Sequence, residues 1–93
     1  MTTLAALAAF AGVGLLGTNS IPHFVQGVTG TRHMTPAGPD SSPVVNVLWG
    51  SANFAAAGVL CWQYRDAINA TTLAIAFATG VALALALAAY WSE

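Results

Sequence analysis

The chain has 93 residues, of which 57% are hydrophobic and 5% charged, two Arg against three acids, for a net charge of −1. A soluble domain carries roughly a quarter charged residues, so a water-facing surface cannot be built from this composition. A nucleic-acid binder would need a basic face and a disordered segment would need low hydrophobicity, which leaves an all-α integral membrane protein forming a single membrane domain.

Residues 4–17 are an apolar run of signal-peptide length. No Lys or Arg precedes the run and no clean Ala-x-Ala site follows it, so the expectation is a retained first span. The purely apolar part is short for the roughly 20 residues that a helix needs to cross a hydrocarbon core. A span over residues 3–25 therefore requires the helix to pass Thr18, Asn19, Ser20 and Pro22. Pro22 has no amide to donate to the Thr18 carbonyl, a defect that membrane helices tolerate, and a kink or helix end near Pro22 is expected.

Residues 27–42 are rich in Gly, Pro, Thr and Ser and contain Arg32, His33 and Asp40, which reads as an aqueous loop or lid. The second span, residues 44–62, follows Ser41-Ser42-Pro43, where a serine caps and proline takes the first helical position. A short connector with Arg65 and Asp66 leads to the third span, residues 70–91, so the second and third helices are expected to form a hairpin. The Leu-Ala alternation of residues 82–88 has a strand-like period, but in a 22-residue apolar run of good helix formers it reads as helix. Asn69-Ala70-Thr71 matches a glycosylation sequon, yet it abuts a span and reads as chance or as a helix cap.

Trp62, Tyr64, Tyr90 and Trp91 fall at span ends, where amphipathic rings anchor a helix at headgroup level. Arg65 and the N-terminal amine lie on one side and Arg32 on the other. The positive-inside rule then gives a cytoplasmic N-terminus, with loop 27–42 and Glu93 outside.

Polar residues inside a span face another helix or a wet cavity, so their spacing carries information. Ala5, Ala8, Gly12, Asn19, His23 and Gln26 form one stripe on the first helix. Asn46, Gly50, Asn53 and Ala57 form another on the second, and Thr72, Ala76, Thr79, Leu83 and Ala86 a third. Small residues allow close approach and amides bond across, so these stripes read as packing faces. The competing reading makes Asn19, His23, Asn46 and Asn53 the lining of a polar cavity.

His23 is the titratable group at membrane depth. A metal site needs several ligands, and His33 lies in a mobile-looking loop beside Met34, so no metal, haem or other cofactor is expected. Cys61 sits among apolar neighbours and reads as a small hydrophobe. The spans hold no carboxylate or lysine, the groups on which proton- and cation-coupled carriers depend. No nucleophile constellation, phosphate loop or carboxylate pair is present, so no catalytic residue is assigned and no enzyme activity is expected.

The segment Asn19-Ser20-Ile21-Pro22-His23-Phe24-Val25-Gln26-Gly27, followed by Ser42-Pro43-Val44-Val45-Asn46-Val47-Leu48-Trp49-Gly50 and by Asn53, resembles a family of small, uncharacterised bacterial multi-pass membrane proteins. The likeness covers under half of the chain and draws attention to His23, Asn46, Trp49 and Asn53. It implies a multi-pass protein of the bacterial inner membrane and no particular mechanism.

The functional expectation is an accessory or structural subunit in the lipid bilayer, packing against other membrane protein subunits or copies of itself. The alternative is a homo-oligomeric channel or carrier for a small neutral or lipid-like solute, lined by His23, Asn46 and Asn53.

Overall fold

The structure, a computed structural model, describes residues 2–92. It is built on three helices, each long and apolar enough to cross a membrane: α1 (Leu4–Val28), α2 (Pro43–Gln63) and α3 (Ala70–Trp91). Glu93, expected on the outer side, lies outside the described residues.

Each helix starts where a side chain can satisfy its free amides. The Thr3 hydroxyl accepts from the Ala6 amide at 3.1 Å and the Ser42 hydroxyl from the Val45 amide at 3.2 Å, with Pro43 in the first turn. Asn69 caps α3 in a reciprocal box: its side chain accepts from the Thr72 amide at 2.9 Å, while the Thr72 hydroxyl accepts from the Asn69 amide at 3.0 Å.

The expected helix end near Pro22 is corrected, because α1 continues through Pro22 to Val28. What stops it is Gly30, whose φ of 76° is left-handed. The Gly30 amide bonds the Gly27 carbonyl at 3.0 Å and the Thr31 amide bonds the Gln26 carbonyl at 2.8 Å, a Schellman ending. A missing donor at one position costs a single bond, whereas glycine in this conformation turns the chain.

The loop expected over residues 27–42 is also more ordered than its composition suggested. It holds an antiparallel hairpin, β1 (His33–Thr35) and β2 (Gly38–Ser41), pairing His33 with Ser41 and Thr35 with Gly38. The turn Thr35-Pro36-Ala37-Gly38 has proline and glycine where a type I turn favours them. The Thr35 hydroxyl accepts from the Ala37 amide at 3.1 Å and lies 2.6 Å from the Ser41 hydroxyl.

The arrangement of the helices differs from the expected α2–α3 hairpin. Both α2 and α3 pack along α1, and they scarcely touch each other. The α1–α2 pair is antiparallel, since Asn19 meets Asn53 and His23 meets Asn46. The α1–α3 pair is parallel: Asn69 bonds Thr2, Thr79 bonds the Ala11 carbonyl, and Gly80 faces Thr18. The hairpin therefore shares one end of the bundle with the C-terminal end of α3, and the Arg65–Ala67 turn lies at the other.

The two contact faces of α1 are chemically distinct. Toward α3 the contact is close: a side chain at Gly14 would collide with the Ala76 carbonyl and Thr79, and Ala6, Ala9 and Phe10 are buried in the same half of the helix. Toward α2 the face is polar and carries Ser20 and His23.

Candidate functional site

The α2 stripe read from the sequence is the buried face of that helix, comprising Asn46, Gly50, Asn53 and Ala57. It meets α1 in three levels. At the middle of the bundle Asn19 Nδ2 donates to Asn53 Oδ1 at 3.2 Å, and Asn53 Nδ2 donates to the Trp49 carbonyl at 2.8 Å. One turn further along, Gly50 lies against bare backbone, where an added Cβ would stand 2.8 Å from both the Ser20 carbonyl oxygen and the Phe24 amide nitrogen. Beyond that, His23 and Asn46 are bonded through Nδ1 and Oδ1 at 3.0 Å, both buried.

Asn46 is the hub. Its Nδ2 lies 2.9 Å from the His33 carbonyl, 3.2 Å from that of Ser41 and 3.1 Å from that of Ser42. Three acceptors around one end of the amide identify that end as the nitrogen, so the other end is the oxygen and His23 donates to it from Nδ1. In the neutral ring Nε2 is then the lone-pair nitrogen, and His23 Nε2 has no hydrogen-bond partner among the described residues. The same amide ties the hairpin to the helices, so the segment expected to be a mobile lid is fastened over the polar ends of α1 and α2.

This placement corrects the reading of His33 as a residue of a mobile-looking loop. The two imidazole rings lie 5.4 Å apart, centre to centre, tilted by 55°, and the His33 ring lies 4.7 Å from that of Trp91 on α3. Burial, and secondly the neighbouring His23, hold the His33 pKa below the ordinary value. These residues, with Asn19, Met34 and Trp49, wall a cavity of about 410 Å³ open at the hairpin end of the bundle. Of the site residues expected from sequence, Asn19 and His23 border this cavity, while Gly50 borders a second space. That space is an apolar groove of about 560 Å³ between Phe24 and Phe54 on the outer side of the α1–α2 seam.

The expected anchors divide. Trp62 and Tyr90 are exposed, Tyr64 is half-buried, and the Arg65 guanidinium sits 4.1 Å over the Trp62 ring. Trp91 packs edge-on to Tyr90 at 4.8 Å and also walls the cavity. The roles of His33 and Trp91 in one site were not legible in the sequence, because 58 residues and two helices separate them. Cys61 is half-buried and unpaired by any disulfide.

The stripes on α1 and α3 coincide with the buried residues only in part. Ala5 and Ala8 are exposed, whereas Ala6, Ala9 and Gly14 are buried, Gly14 against α3. On α3, Thr72 is buried and Ala76, Thr79 and Leu83 are half-buried, but Ala86 is exposed and the buried Gly80 was missed.

No protein-family model, no curated protein and no solved structure matches this chain.

Proposed function

We propose that the chain is a non-enzymatic, three-span subunit of a membrane protein complex, an accessory or structural element that joins partner helices or further copies of itself through the outer face of α3. The observation that carries this reading is the state of α3. It fully buries only Thr72 and Gly80, while Ala74, Ala78, Ala82, Ala86 and Ala89 are exposed on one side, together with Leu85. In lipid, small residues are what let a second helix approach closely.

A second line of support comes from the polar groups. Among the described residues, no buried side-chain nitrogen or oxygen lacks a partner. Asn46, Asn53 and the Nδ1 side of His23 are spent on holding this chain together, whereas a channel shared between copies would need such groups turned toward a common lumen. The same reading includes a bacterial inner membrane location, a cytoplasmic N-terminus with the hairpin outside, and a local bend where Pro22 leaves the Thr18 carbonyl without its helical donor.

The test is the mass of the intact assembly extracted in native lipid, with identification of its protein components. A stoichiometric foreign protein, or a defined ring of this chain that Ala78→Trp disrupts, is the expected result. A monomer with no protein companion would overturn the proposal.

A further inference from the structure

His23 and His33 both line the cavity at the hairpin end of the bundle, their ring centres 5.4 Å apart, and Met34 lines the same cavity. We propose that this cavity is a binding site for one monovalent copper ion, with the imidazoles of His23 and His33 and the thioether of Met34 as ligands.

The spacing of the rings is the first argument. An imidazole nitrogen sits about 2.0 Å from a bound metal, so the ring centre is about 3 Å away, and two rings sharing one ion at a trigonal angle have centres about 5 to 6 Å apart. The observed separation is 5.4 Å, and the rings are tilted at 55° rather than stacked face to face.

The second argument is the support around the ligands. A metal-binding histidine almost always donates its other ring N–H to an oxygen that fixes the ring. His23 does so through Nδ1 to Asn46 Oδ1 at 3.0 Å, leaving Nε2 with its lone pair. The nitrogen of the same amide holds the His33 carbonyl at 2.9 Å. One side chain thus orients the His23 ring and holds the backbone from which the His33 ring projects.

The third argument decides which metal. The cavity is lined by no Asp, Glu or Cys, so a doubly charged ion would gain no anionic ligand here. Two neutral imidazoles and a thioether form a soft, uncharged donor set, which suits Cu(I). The Met34 side chain has three rotatable bonds with which to reach the ion, and the Trp91 ring, 4.7 Å from His33, walls that side of the cavity.

The experiment is an anaerobic titration of the full-length protein in lipid nanodiscs with Cu(I), in competition with a chromogenic Cu(I) chelator. One ion per chain is expected, with X-ray absorption showing nitrogen and sulfur neighbours and Met34→Leu removing the sulfur. His33→Ala is the decisive variant, because Asn46 bonds the backbone carbonyl at that position and the hairpin keeps its tie, which circular dichroism and protease resistance will check. It should weaken binding by about tenfold or more, and His23→Ala should do the same where the fold is retained. Failure to take Cu(I) from the chelator, binding unchanged in His33→Ala, or binding lost in Cys61→Ser alone would each overturn the site. None of these outcomes depends on whether the chain is a subunit of a larger assembly.

Discussion

Asn46 and His23 are bonded at 3.0 Å between two antiparallel helices, and the other end of the Asn46 amide holds three backbone carbonyls of the loop that joins those helices. The helix pair and its crossover are therefore fastened by one side chain.

Asn46→Ala should release the hairpin. The His23 N–H and the three carbonyls lose their partner together, and leaving such groups unsatisfied costs about 1–3 kcal/mol. Hydrogen exchange should rise across residues 33–41 while the amides of α3 stay protected. Equal loosening of all three helices would refute this division.

Gly50→Ala should destabilise the α1–α2 seam, because the added carbon meets the backbone of Ser20 and Phe24, which cannot move aside as a flexible side chain would. Overpacking of this kind costs about 1–3 kcal/mol. Gly17→Ala and Gly58→Ala meet nothing within 4 Å and serve as controls. A reversible unfolding assay in bicelles should separate the first variant from the other two.

The α3 seam depends on shape more than on hydrogen bonds. Thr79→Val removes the bond to the Ala11 carbonyl at 3.1 Å and should cost about 0.6 kcal/mol, the average for an interhelical side-chain bond in a membrane protein. Gly14→Leu should cost considerably more, since its side chain would enter the Ala76 backbone. Cysteines introduced at Thr2 and Asn69 should form a disulfide in the parent and lose that yield in Gly14→Leu. An unchanged yield would count against the parallel α1–α3 contact.

With a cytoplasmic N-terminus, the hairpin should lie on the non-cytoplasmic side of the membrane. Ala37 is exposed at the hairpin turn, so Ala37→Cys in a Cys61→Ser background should react with an impermeant maleimide on intact cells. Reaction only after lysis would reverse the orientation.

Much of this was written in local sequence. Ser42-Pro43 and Asn69 mark helix starts because a cap acts within one turn, and the Asn46, Gly50, Asn53, Ala57 spacing gives the buried face of α2 because that helix has one principal neighbour. On α1 the same method found only part of the pattern. A helix packed on two sides buries more than one stripe, so Gly14 fell outside the face drawn through Asn19 and His23. The hairpin escaped notice because strands of three and four residues are too short for alternation to show, although the Thr-Pro-Ala-Gly turn was there to be read. The pairing of His23 with His33 was beyond local pattern altogether, since it depends on where Asn46 pulls the loop.

The placement of α1 between the other two helices also constrains the order of assembly. As the chain leaves the insertion machinery, α2 can dock onto α1 at once, with Asn46 and Asn53 finding amide and imidazole partners already in the bilayer. When α3 follows, its docking face is on the far side of α1, so the Tyr64 to Asn69 connector must carry it past the end of α1, where Asn69 meets Thr2. Until α3 docks, Gly14 lacks its Ala76 and Thr79 neighbours, whereas every hydrogen bond of Asn46 and Asn53 is already made within α1, α2 and the hairpin.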